Sequence, residues 1–197
     1  MRLLLTTLFL LFIGQSFAQV YYTRTAHINV RSENNLKSIE ADNYQLISTI
    51  DFETQDVNFE GLLKSFEFKL GALDRVFNSS RINVNQYPKI KFEGRVKGIR
   101  RIDLSKKKRY EVEVKGKLYI WDEKRVTSAK GVLISDGKGG FRVESDFLMR
   151  IEEKSMDKLN QLIDQKLPEA INVSTQTFGV DRDIKIKLRA DYTLRNW

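Results

Sequence analysis

Between Tyr110 and Trp121 polarity alternates almost residue by residue. Tyr110, Val112, Val114, Gly116, Leu118 and Ile120 interleave with Glu111, Glu113, Lys115, Lys117, Tyr119 and Trp121. Successive side chains of a strand point to opposite faces, so a period of two gathers the apolar set on one face and the charged set on the other. A helix would scatter both. The same period runs through Val57, Phe59, Gly61 and Leu63, then Ile90, Phe92, Gly94 and Val96. It returns in Phe141, Val143, Ser145, Phe147 and Met149, and in Ile184, Ile186, Leu188, Ala190, Tyr192 and Leu194.

Between these runs lie turn signals. Asp122-Glu123-Lys124 reads as a turn into a returning strand from Val126 to Ile134, and Asp136-Gly137-Lys138-Gly139-Gly140 reads as a hairpin loop. Weaker strands near Tyr21 to Arg31 and Tyr44 to Phe52 bring the total to about eight. Two segments depart from the period: Leu73 to Phe77 is a short helical turn, and Met156 to Leu167 an amphipathic helix ahead of Pro168. The chain is all-β with one or two short helices, and its strands must bury one face each. A closed antiparallel barrel does this without leaving an edge, and a two-sheet sandwich satisfies the same pattern.

Alternation alone does not say whether the apolar face turns inward or outward into lipid. The charged face carries Lys185, Lys187, Arg189 and Asp191 in a row, which a narrow lumen could hold only as a fully paired network. Phe59, Phe92 and Phe147 sit in mid-strand rather than in girdles at the strand ends. The terminal Trp197 shares its face with Arg195 and Thr193, where a lipid-facing strand would be apolar. The apolar face is therefore expected inside.

At the N-terminus, Met1-Arg2, the apolar run Leu3 to Ile13 and the small residues Ser16 and Ala18 have the three zones of a secretory signal, with cleavage before Gln19. The run is shorter than the roughly 20 residues of a spanning helix, and the alternative to cleavage is an uncleaved membrane anchor. Cleavage would leave residues 19–197 as a single domain, periplasmic or secreted, and the loss of Arg2 would lower the net charge from +8 by one. A basic chain in the cytosol would suggest nucleic acid. An exported one is not expected to bind it, and meets anionic membrane surfaces instead, as a peripheral contact. The sequence leaves the oligomeric state open between a monomer and a homodimer.

The inventory for catalysis is thin. There is no Cys, and His27 is the single imidazole, read here on the strand face of Thr23, Thr25 and Asn29. No second His can build a zinc site. Carboxylate pairs such as Asp181 and Asp183, or Glu152 and Glu153, fall in turn-like sequence, and the glycine-rich loop at Asp136 lacks the helix start of a phosphate site. No enzyme activity, metal or cofactor is expected. What remains is an apolar strand face rich in rings, including Phe59, Phe92, Tyr110, Phe141, Phe147 and Tyr192. On that face Gly61, Gly94, Gly116 and Ala190 are expected to free interior volume for a ligand.

Several blocks carry a resemblance. His27-Ile28-Asn29-Val30-Arg31-Ser32 with Leu36, Ile39-Glu40-Ala41 and Asn43, then Phe59, Lys64-Ser65-Phe66 and Phe68-Lys69, stand in a recognisable order. Phe77-Asn78, Tyr87-Pro88-Lys89, Phe92-Glu93-Gly94 and Val114-Lys115-Gly116 with Leu118 continue it. Over roughly Tyr21 to Ile134 the series resembles the YceI-like polyisoprenoid-binding family, as found in exported proteins of Bacteroidota. The resemblance implies a lipocalin-like extended antiparallel barrel that encloses an isoprenoid lipid or quinone-like chain without chemistry on it. The expected wall residues are Phe59, Phe92, Val114, Leu118, Phe147, Leu188 and Tyr192, with Lys89, Lys91, Arg100 and Arg101 available to an anionic head group. The alternative is a packed barrel without ligand, an envelope interaction module working through the 156–167 helix and the basic outer face.

Overall fold

The computed structural model describes residues 19–33, 38–71, 74, 88–120, 123–150 and 183–195. The expected signal segment, both expected helices apart from Asp74, and the Trp121-Asp122 step lie outside them. Among the described residues nine strands run in chain order: β1 (Val20–Glu33), β2 (Ser38–Asp51), β3 (Asp56–Leu62), β4 (Glu67–Phe68), β5 (Lys89–Lys97), β6 (Arg109–Ile120), β7 (Glu123–Ser135), β8 (Phe141–Arg150) and β9 (Asp183–Leu194). All pairings are antiparallel, in the order β1-β9-β8-β7-β6-β5-β3-β2, and β1 pairs again with β2 to close an eight-stranded barrel. The two-residue β4 hangs on the edge of β2. No helix among the described residues is long and apolar enough to cross a membrane.

The faces are arranged as the alternation requires. Along β9, Ile184, Ile186, Ala190 and Tyr192 are buried while Lys185, Lys187, Arg189 and Asp191 face outward and are exposed. Apolar side chains fill the inside, and charge covers the outside.

The longest strands, β1 and β2, are the ones with the weakest sequence signal, and their pairing shows why. Register shifts fall between Thr23 and Ala26 on β1, and between Asn43 and Leu46 on β2. Each bulge leaves two consecutive residues exposed, Arg24 with Thr25 and Tyr44 with Gln45, and reverses which parity points inward. Local side-chain bonds hold both: Thr25 N–H reaches Thr23 Oγ1 at 3.4 Å, and Gln45 N–H reaches Asn43 Oδ1 at 2.8 Å. His27 therefore does not share a face with Thr23. Thr23 is buried inside, while His27 lies outside with Asn29.

The β6–β7 turn is shorter than expected, because Glu123 already pairs with Ile120. The β7–β8 loop forms where expected, with the Asp136 carboxylate accepting from the N–H groups of Lys138 at 2.6 Å and Gly140 at 3.0 Å.

One end of the barrel is closed. Tyr21, Phe52, Phe141 and Tyr192 meet there, with centroids 4.9 Å apart for Tyr21 and Phe52, 5.1 Å for Tyr21 and Phe141, and 4.9 Å for the stacked Phe141 and Tyr192. Beneath them the β5–β6 connection folds across the floor. It enters a short 3-10 turn (Ile99–Arg101) through Gly98, whose φ of 78° suits a residue without Cβ, and it buries Ile99 and Leu104. Ser135, itself buried, donates to the Leu104 carbonyl at 2.9 Å and ties that connection to β7. The opposite end is the rim where β1, β3, β6 and β8 finish and β2, β5, β7 and β9 begin.

Candidate functional site: an apolar cavity in the barrel

Above the aromatic floor lies a cavity of about 300 Å³. That is the lower end of the usual range for small-molecule sites, roughly 300–1,000 Å³. All seven residues expected on the wall line it: Phe59 of β3, Phe92 of β5, Val114 and Leu118 of β6, Phe147 of β8, and Leu188 and Tyr192 of β9. They come from five strands because each is an inward position of its own alternation. Around them stand Ile28, Val30, Leu46, Val57, Val112 and Ile186, with Ile39, Ile90, Ile120 and Met149 toward the open rim.

Polar groups are sparse along this wall. Ser32, Thr127 and Ser145 contribute hydroxyls, with Glu60, Lys91 and Lys130 at the margin. The Ser145 hydroxyl is already committed to the Lys130 carbonyl at 2.6 Å. Such a lining holds hydrocarbon by area burial, about 25 cal/mol per Å², and gives a polar head group little to bond.

The glycines act differently from expectation. A Cβ on Gly94 or Gly116 would lie 2.8 or 2.6 Å from the Phe92 ring, and one on Gly61 would lie 2.3 Å from Leu46 Cδ2. Their vacant space is taken by a neighbour, not left to a ligand. Gly94 and Gly116 pair directly across β5 and β6, and the Phe92 ring rests over that pair. The lumen stays open because the ring lies along the wall.

The basic residues divide. Lys89 lies 2.5 Å and Lys91 3.7 Å from Glu60 carboxylate oxygens near the open rim. These lysines, the Lys89 bond first, hold the Glu60 carboxyl below its ordinary pKa. Arg100 and Arg101 follow β5 at the closed end, where Arg100 Nε donates to the Glu53 carbonyl at 2.5 Å. They cannot meet a head group at the rim.

Two buried polar groups were not singled out as functional by their local sequence. Asn43, fully buried, donates to the Leu62 carbonyl at 3.2 Å and so fastens β2 to the end of β3. Ser48 donates to the Asn58 carbonyl at 2.7 Å and accepts from Tyr192 Oη at 2.7 Å. Only the breaks in apolar alternation on β2 could have pointed to them.

On the outer wall, His27 Nε2 lies 2.7 Å from Asp42 Oδ1, and its ring stacks on Tyr44 with centroids 4.3 Å apart. Asn29 Nδ2 donates to Asp42 at 2.9 Å and to Glu40 at 2.8 Å, and Lys69 pairs with Glu40. Burial raises the Asp42 pKa, but the bonds from Asn29 and His27 outweigh it and the net shift is downward. The cluster faces away from the cavity and braces β1 against β2.

No family model matches the chain, and no curated protein matches it. Solved structures do. A polyisoprenoid-binding domain from Saccharophagus degradans, implicated in plant cell wall breakdown, superposes with a TM-score of 0.66 at 11% identity, over 90% of this chain and 99% of that one. BcnA of Burkholderia cenocepacia superposes with a TM-score of 0.58 at 12% identity, over 85% of this chain and 96% of that one. At such identities the likeness is one of fold, and the fold is the one the sequence resemblance implies: an eight-stranded antiparallel barrel shared with a polyisoprenoid-binding domain.

Proposed function

We propose that the protein holds a long apolar lipid of the polyisoprenoid or isoprenoid-quinone class in its barrel, for transport or storage, and performs no reaction on it. The carrying observation is the cavity itself, closed by rings at one end and lined by hydrocarbon from all eight barrel strands. The shared fold with a polyisoprenoid-binding domain supports the ligand class. The N-terminal pattern supports export to the periplasm or beyond, with cleavage before Gln19. In this reading Lys89 and Lys91 stand near the rim where a head group would emerge, and Arg100 and Arg101 have no part.

The test is organic extraction and mass spectrometry of the chain purified under non-denaturing conditions from cells that export it. The expected result is one lipid per protein, in a series differing by isoprene units. A chain that yields no lipid at stoichiometric level, and whose refined interior is filled by its own side chains, contradicts the reading.

A further inference from the structure

Two of the eight junctions around the barrel are ladders of only four pairs, β2–β3 and β7–β8; β4 takes up the pairing farther along β2, whereas among the described residues no strand does so between β7 and β8. In that second junction only Val132–Ser135 pair, with Glu144, Val143, Arg142 and Phe141. Beyond that point residues 123–131 of β7 pair with β6 alone, and residues 145–150 of β8 pair with β9 alone, among the described residues. The ladder ends at Gly131, where a Cβ would sit 2.8 Å from the Glu144 carbonyl, and the strands are bridged farther out by side chains. Ser145 Oγ donates to the Lys130 carbonyl, and the Arg125 guanidinium donates to the Arg150 carbonyl.

This seam is where inside and outside meet. A groove of about 990 Å³ on the outer surface shares Val112, Lys130, Gly131, Ser145 and Leu188 with the interior cavity. On the inner side β7 presents Thr127, Ala129 and Gly131, all small. On the outer side the seam is flanked by Val126 and Leu148, which are 78% and 70% exposed, more than any other large hydrophobic residue described. Their outward neighbours Lys124, Lys130, Arg150, Lys185 and Lys187 outnumber Glu144, Asp146 and Asp183, of which Asp183 and Asp146 pair with Arg150 and Lys185. Apolar tips set among cations suit the surface of an anionic bilayer, where tips enter the acyl boundary and cations meet the head groups.

Resting on the lipid-binding reading above, we propose that the β7–β8 seam is a side entrance. The protein sits on an anionic bilayer through Val126 and Leu148, and an apolar lipid chain slides between the strands into the cavity. The Arg125 side chain is the tie that closes the seam behind it. A strand pair joined by side-chain bonds parts more readily than one joined by a full ladder.

The chain has no cysteine of its own, so a disulfide can lock the seam. Continuing the observed register places Ser128 opposite Leu148. The experiment follows transfer of a fluorescent polyprenol from mixed phosphatidylcholine and phosphatidylglycerol vesicles to Ser128→Cys/Leu148→Cys protein, oxidised and reduced. A matching pair in a full ladder on the far side of the barrel, Asn58→Cys/Glu93→Cys, is the control. The expected result is transfer slowed on the order of tenfold by oxidation of the seam pair, restored by reductant and unchanged in the control. A second variant, Arg125→Ala, is expected to speed transfer several-fold. Equal rates in oxidised and reduced seam protein, or an unchanged rate in Arg125→Ala, overturn the side entrance and assign entry to the open rim. A reduced protein that takes up no probe from vesicles and none from detergent refutes the lipid-binding reading itself, and the entrance with it.

Discussion

The Tyr192 hydroxyl of β9 donates to Ser48 Oγ of β2 at 2.7 Å, across the strand that separates them in the sheet. Ser48 passes the bond on to the Asn58 carbonyl of β3, so one buried chain of two bonds links three strands at the base of the cavity. Unpaired polar groups in such a place cost about 1–3 kcal/mol each. Tyr192→Phe removes one bond and leaves the Ser48 donor satisfied, so it should cost about 1 kcal/mol. Ser48→Ala leaves the buried Tyr192 hydroxyl without its acceptor and should cost more, about 2 kcal/mol. The double variant should be more stable than the sum of the two losses, because its partners are removed together. Urea unfolding of the three variants measures this.

The same residue makes the barrel alkali-sensitive. Burial raises the Tyr192 pKa strongly, although the bond to Ser48 acts the other way, and burial raises Tyr21 as well. The folded state thus keeps protons that the unfolded chain loses above about pH 10. Their contribution is complete below that value and is lost as pH rises toward the folded pKa, at about 1.4 kcal/mol per unit for one tyrosine. Stability followed from pH 8 upward should fall from about pH 10, and less steeply in Tyr192→Phe.

The acid limb depends on the outer brace. Bonds from Lys69 and then Asn29 lower the Glu40 pKa, and those from Asn29 and His27 overcome the opposing effect of burial at Asp42. Both carboxylates then stabilise the fold above their unfolded pKa values, near 4, and that stabilisation is lost as pH falls through their lower folded values. Asn29→Ala removes a donor from each carboxylate. It should cost about 1 kcal/mol at neutral pH and flatten the dependence of stability on pH below 5, as read by thermal unfolding in an acid series.

Floor and wall should separate in their effects. Phe141 is buried in the ring cluster, and Phe141→Ala should cost about 3–5 kcal/mol. Ala129 lines the cavity with nothing but a methyl group, and Ala129→Leu should reduce bound lipid while leaving stability unchanged or improved. Extraction yield and denaturation midpoint, measured on both variants, distinguish a floor residue from a wall residue.

How far the barrel is legible depends on phase. In β6 and β9 the charged and apolar residues keep one parity from end to end, so Val114, Leu118 and Leu188 are legible as inward positions. In β1 and β2 the bulges reverse parity in mid-strand, so the longest strands read as the weakest, and Thr23 turns to the opposite face from His27 and Asn29. The glycines mark a second limit. A missing side chain is visible in a sequence, but the Phe92 ring that fills the space over Gly94 and Gly116 is set by the pairing of β5 with β6. The short ladder between β7 and β8 has no sequence signature beyond small inward residues and two apolar outward ones.

The most direct measurement is native mass spectrometry of the chain, freed of residues 1–18 and titrated with polyprenols of increasing length. A cavity of hydrocarbon predicts a one-to-one adduct whose affinity rises about fourfold per buried CH₂, from about 0.8 kcal/mol each, and levels off when the cavity is full. Ala129→Leu should level off at a shorter chain. Absence of an adduct at every length, or affinity indifferent to both chain length and Ala129→Leu, would contradict a barrel built to hold an apolar lipid.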